Sequence, residues 1–121
     1  MGNFRVDSAV VVECVRSPVG KANPETGFFR DVRSDDLAVA VVEGLLVRSG
    51  IDPNQIEDCL LGNTQQQGEQ GFCVARNVAL MAGLPVEAGG VTINRLCGSS
   101  CLLYTSPSPR DVEESRMPSS A

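Results

Sequence analysis

Gly90-Val91-Thr92-Ile93-Asn94-Arg95-Leu96-Cys97-Gly98-Ser99-Ser100 is the stretch on which the reading of this chain turns. Val91, Thr92 and Ile93 are β-branched and predict a buried strand over residues 90–94. Asn94 to Gly98 is turn chemistry, and the two serines that follow suit the start of a helix. Cys97 therefore stands where a strand hands over to a helix. Backbone N–H groups there lack intrahelical partners, and the positive end of the helix dipole points at them. Both features suit a nucleophile. The chain has no histidine, so the usual base for such a thiol is missing. Half of a nucleophile–base pair is present.

Working upstream, Ala9-Val10-Val11-Val12-Glu13-Cys14-Val15 is a near-continuous apolar run. It predicts a strand buried on both faces, as in a parallel sheet. A loop follows to Arg33, with Asn23-Pro24-Glu25-Thr26-Gly27 as its turn. Ser34 is placed to cap a helix, with Asp35 and Asp36 in the first turn. Leu37, Val41 and Leu45 form one apolar row, and Ala38, Val42 and Leu46 form the next. Ser49-Gly50 ends that helix. Asp52-Pro53 starts a short helical turn, with Gln55 set to complete a capping box. Residues 56–62 predict a second strand, and residues 72–82 a helix in which Ala75, Ala79 and Ala82 allow close packing. The alternation of strand and helix predicts an α/β class, a layered sheet with crossover helices.

Downstream of Ser100 the character changes. Pro107 and Pro109 cannot both sit inside a helix, and residues 111–121 are polar. A domain is expected over residues 1–100, and a disordered or frayed tail over 101–121.

Composition narrows the function classes. A length of 121 residues fits one modest domain. A net charge of −5 argues against a nucleic-acid surface. No apolar run approaches membrane-spanning length, and a cytoplasmic location is expected. The five cysteines are odd in number, and three lie in apolar patterns, which resembles reduced thiol usage rather than a disulfide framework. Cys97 and Cys101 are too far apart for a Cys-x-x-Cys pair, and no metal site is expected.

Several motifs taken together resemble the thiolase family. Val15-Arg16-Ser17-Pro18-Val19-Gly20-Lys21 is similar to its first-strand motif, with Ser17 where threonine is more usual. Asp35-Asp36-Leu37 resembles the start of its first helix, and Leu61-Gly62-Asn63 the end of its second strand. Glu69-Gln70-Gly71 followed by Ala75-Arg76-Asn77 resembles the loop and helix of degradative 3-ketoacyl-CoA thiolases. Thr92 to Ser100 is similar to the acyl-enzyme signature.

The resemblance implies an N-terminal part of an acetyl-CoA C-acyltransferase, with a partial thiolase-like fold. Such enzymes cleave a 3-oxoacyl-CoA with CoA to acetyl-CoA and a shortened acyl-CoA, in fatty-acid β-oxidation. Cys97 falls on the acyl-carrying nucleophile, and its backbone N–H on a donor to the thioester oxyanion. CoA is then a substrate, and no bound cofactor is implied; residues that bind CoA are not assigned. The resemblance further implies a homo-oligomer, with a hydratase/dehydrogenase subunit as a possible companion.

The family's histidine, its second cysteine and most of its CoA-binding loop fall beyond this chain, so the 121 residues alone are expected to be inactive. Residues 101–121 depart from the family pattern and are expected not to be natural thiolase sequence. Two other readings stand beside this one, a biosynthetic acetoacetyl-CoA thiolase and a non-catalytic truncated interaction module.

Other residues have plainer readings. Cys14, Cys59 and Cys73 are expected to be packing residues, and Cys101 has no role. Arg16 could meet a phosphate of CoA, but a structural ion pair is the commoner fate. Asn63, Asn94 and Arg95 are expected to support the nucleophile loop. Arg76 and Asn77 are expected on a solvated helix face, where a partner chain could meet them.

Overall fold

The computed structural model describes residues 10–105. The elements in order are α1 (Ser34–Ser49), a 3-10 turn (Pro53–Gln55), β1 (Asp58–Gly62), a second 3-10 turn (Gly68–Gln70), α2 (Val74–Met81), β2 (Gly89–Ile93) and α3 (Ser99–Thr105). β1 and β2 pair in parallel, with Cys59 opposite Gly90 and Gly62 opposite Ile93. The connection between them carries α2, as a parallel pair requires. The expected α/β class with a crossover helix is present, on a sheet of two strands.

The core lies between α2 and this sheet. Ala75, Val78 and Ala79 are fully buried, and Cys59, Ala79, Leu84 and Ala88 form one apolar cluster against which Leu46, Ile56 and Leu61 pack. Small side chains let the layers come close. A Cβ added at Gly90 would sit 2.6 Å from the Arg76 Cα and 2.7 Å from its N. The backbone of α2 thus occupies the space that a side chain at position 90 would fill. The Arg76 guanidinium reaches across the same layer and donates to the carbonyls of Ala88 and Val86, the latter at 2.7 Å. Expected on a solvated face, Arg76 is instead half-buried, and its guanidinium is used within the chain, on two carbonyls of the α2–β2 connection. Asn77 is exposed, as expected.

α1 has the expected bounds and ends at Gly50, whose φ of 66° allows its N–H to reach the Leu46 carbonyl at 3.0 Å. Its start differs from expectation. Arg33 holds the cap position and Ser34 is the first helical residue. The Ser34 N–H and hydroxyl both donate to Glu69 Oε1, each at 2.7 Å. A carboxylate from a distant loop has replaced the serine hydroxyl as acceptor, because it is a stronger acceptor and its charge suits the helix N-terminus. Arg33 grips Asp35 through two bonds of 3.0 and 2.7 Å and stands 3.7 Å from Glu69. At the second turn, Asp52 accepts from the Asn54 N–H at 3.0 Å.

The run from Val10 to Val15 is not a strand. Val10, Val11 and Val12 are 67%, 89% and 66% exposed. β-branched composition reports fitness for a half-buried pleated surface rather than an intrinsic backbone preference. It pairs with neither β1 nor β2, and its backbone stays irregular. The expected break at Cys101 also falls inside an element, since α3 runs from Ser99 to Thr105 and the first proline comes only at 107. The expected tail over residues 106–121 lies outside the described residues, as do residues 1–9.

Two tests follow from this packing. Gly90→Ala pushes a methyl into the α2 backbone and should destabilise the fold by about 1–3 kcal/mol, read as a lower midpoint in thermal or urea unfolding. Gly44→Ala, in α1 with nothing within 4 Å of the added methyl, should instead stabilise by about 0.5–1 kcal/mol.

A third test concerns pH. Ser34 hydrogen bonds, through its N–H first and its hydroxyl next, hold the Glu69 carboxyl below the ordinary glutamate value of 4.5. A depressed folded-state pKa contributes stability that is present above 4.5 and is lost as pH falls through the folded value. Thermal midpoints measured downward from pH 5 should therefore fall, and Glu69→Gln should flatten that slope.

Candidate active site

β2 delivers the chain to the cysteine. Its last residue, Ile93, accepts the Asn63 N–H at 2.9 Å, which ties the ends of both strands together. The Asn63 side chain donates to the Gln70 carbonyl at 3.1 Å and accepts from the Gln65 N–H at 3.0 Å. The Asn94 side chain donates to the Thr64 carbonyl at 3.3 Å and accepts from the Leu96 N–H at 3.0 Å. Asn94 thus braces the start of the cysteine turn, whereas the Asn63 side chain holds the 63–70 loop beside it.

The turn itself is tight. The Gly98 N–H bonds to the Arg95 carbonyl and the Ser99 N–H to the Leu96 carbonyl, both at 3.0 Å. Leu96 has a φ of 48°, in the left-handed region that a branched side chain rarely enters. Ser99 is buried at 3% exposure. Its Oγ accepts the Arg95 N–H at 2.9 Å and donates to the Leu96 carbonyl at 2.7 Å. Cys97 sits within this frame and is exposed. It lies in the turn two residues ahead of α3 rather than in its first turn. A Cβ at Gly62 would lie 2.8 Å from the Ser100 N, so β1 abuts the first turn of α3 directly.

The other thiols divide by environment. Cys59 is buried in the core, and desolvation pushes its thiol up. Cys73 is half-buried at the cap position of α2. Its Sγ donates to the Gly90 carbonyl at 3.1 Å and lies 3.7 Å from Thr92 Oγ1. The Arg76 N–H, first, and the Thr92 hydroxyl hold this thiol below the ordinary value. Sequence reasoning assigned Cys73 to packing alone; the Cys-x-x-Arg spacing at a helix start was the signal available. Cys14, also expected to pack, is exposed.

Cys14 lines a groove of about 1130 Å³ between residues 14–18 and α1, floored by Leu37 and Val41 and flanked by Arg16 and Arg48. None of its lining comes from the cysteine turn. Arg16 donates to the neighbouring Ser17 carbonyl at 3.2 Å, and Arg48 meets Glu13 at 3.4 Å. Among the described residues no cluster of three histidine, cysteine, aspartate or glutamate side chains could hold a metal ion.

Comparison with known proteins agrees with this anatomy. The family model for the thiolase N-terminal domain matches residues 9–102. The 3-ketoacyl-CoA thiolases of Shewanella loihica and Shewanella oneidensis are each 52% identical over 93 residues, covering 76% of this chain and 24% of theirs. Among solved structures, human mitochondrial 3-ketoacyl-CoA thiolase in complex with CoA superposes with a TM-score of 0.60 at 30% identity. Acetyl-CoA acetyltransferase from Syntrophomonas wolfei superposes at 0.58 and 28%. Each alignment covers 65% of this chain and 20% of the other. The chain spans about a quarter of the length of the curated relatives it matches. The family match over residues 9–102, which runs from the first loop into α3, places the chain in the thiolase family, of which it carries N-terminal domain sequence.

Proposed function

We propose that Cys97 is the acyl-accepting nucleophile of a thiolase-type transfer between CoA thioesters. The observation that carries this reading is the exposure of Cys97 on a turn whose neighbours are all fixed by hydrogen bonds. In the degradative direction, its sulfur attacks the 3-keto carbon of a 3-oxoacyl-CoA. The bond between C2 and C3 breaks, acetyl-CoA leaves after gaining a proton, and the shortened acyl group stays on sulfur. CoA then takes that group as a new thioester. The Cys97 N–H is the residue's own candidate donor to the developing oxyanion.

The degradative direction, within fatty-acid β-oxidation, is favoured over acetoacetyl-CoA synthesis by the names of the Shewanella relatives and by the Gln67-Gly68-Glu69-Gln70-Gly71 loop. CoA and acyl-CoA are then substrates. A homo-oligomer, a hydratase/dehydrogenase companion and a cytoplasmic setting belong to the same reading. No helix among the described residues is long and apolar enough to cross a membrane. The chain has no histidine, so the base for the thiol must come from elsewhere, and the 121 residues alone carry out no sustained thiolysis. The reading as a non-catalytic interaction module differs in leaving Cys97 without acyl chemistry.

Incubation with acetyl-CoA followed by peptide mass spectrometry decides between them. An acetyl adduct on Cys97, outpacing those on Cys14 and Cys101 and absent in Cys97→Ala, is the expected result. An adduct that favours another cysteine overturns the assignment. Multiple-turnover thiolysis by the isolated chain would overturn the claim that it lacks its base.

A further inference from the structure

We infer that Ser99 is a positioning residue for Cys97, and that its hydroxyl holds Leu96 in the left-handed backbone that aims the thiol. The inference rests on the nucleophile reading above but on separate observations. Ser99 is one of two buried polar residues among those described. Its hydroxyl spends both of its hydrogen bonds on the turn preceding it. It accepts from the Arg95 N–H and donates to the Leu96 carbonyl. The Arg95 N–H lies in the peptide plane before Arg95 and the Leu96 carbonyl in the plane after Leu96, so the hydroxyl bridges the two ends of the Arg95–Leu96 pair and ties down the plane that follows Leu96.

Leu96 needs such a hold. A branched side chain at a φ of 48° is strained and persists only where its surroundings over-determine it. Asn94 supplies one restraint, by accepting the Leu96 N–H. The Ser99 N–H, bonded to the same Leu96 carbonyl, supplies another. Neither of these bonds reaches the Arg95 N–H. With the hydroxyl gone, that part-buried donor loses its acceptor, and Leu96 gains freedom to relax toward negative φ. Rotation at Leu96 swings the following residue, so Cys97 would leave its outward orientation. Ser100, by contrast, is exposed, and is not part of this clamp.

The test uses the full chain with Ser99→Ala and Ser99→Thr, the latter keeping the hydroxyl. The first readout is the intraresidue N–H to Hα nuclear Overhauser signal of Leu96, strong only at positive φ. The second is the ratio of iodoacetamide alkylation at Cys97 to that at Cys101, an exposed thiol of the same helix end that reports any general loss of structure. Ser99→Ala should abolish the Leu96 signal and lower the ratio about fivefold or more, the range expected when a strained backbone state is released. Ser99→Thr should keep the signal and hold the ratio within about twofold of the parent. A Leu96 signal and ratio unchanged in Ser99→Ala overturn the inference, as does a loss that Ser99→Thr fails to rescue. Absence of an acetyl adduct in the parent would overturn the proposed function and leave these two readouts intact, so the failures are distinguishable.

Discussion

The near-contact between the backbone of α2 and the backbone of β2 at Gly90 is the constraint on which the rest depends. Nothing larger than hydrogen fits between position 90 and Arg76. Because the two layers touch there, the Arg76 side chain can reach the carbonyls of the connection that returns the chain to the sheet, and Thr92 Oγ1 can accept the Ala75 N–H at 3.1 Å. These bonds fix the height and direction of β2. The cysteine turn begins one residue after β2 ends, so its orientation is inherited from this packing rather than built independently.

A second consequence of the same contact concerns the thiols. Cys73 and Cys59 both approach Gly90, one through its carbonyl and the other across the strand pair, yet their environments push them in opposite directions. The helix-end donors favour charge on Cys73, and the core disfavours it on Cys59. The distinction of Cys97 is geometric, a side chain in solvent on a backbone whose every neighbour is tied. In this fold, the thiol favoured as the anion by its hydrogen bonds and the thiol held out in solvent on a braced turn are different cysteines.

Much of this was legible in the sequence because it depends on local patterns. The apolar rows of α1, the glycine at its end, the alanines of α2 and the polar loop between β1 and α2 follow from periodicity and turn chemistry, and they stand where expected. The exposed turn that carries Cys97, and the bracing of that turn by Asn94, were legible from the motif they form. What escaped were interactions set by distant partners. Ser34 looks like a cap until Glu69 arrives. Arg76 looks solvated until the turn at 86–88 folds over it. The valine run looks like a central strand because composition registers the surface it would fit, not whether that surface is there. The Ser99 hydroxyl was invisible for another reason: a serine after a turn is expected to cap a helix forward, and this one bonds backward.

The Glu69 bond to α1 also bears on the order in which the chain can become structured. The acceptor for the first turn of α1 comes 35 residues after Ser34, beyond the whole of β1. As the polypeptide emerges from its N-terminus, the body of α1 can form early from local contacts, but its leading turn has no charged acceptor until the loop before α2 has been made and has docked. The helix is thus completed from its far end backward. The segment joining the first loop to α1 takes its final shape only once the βαβ unit is under way.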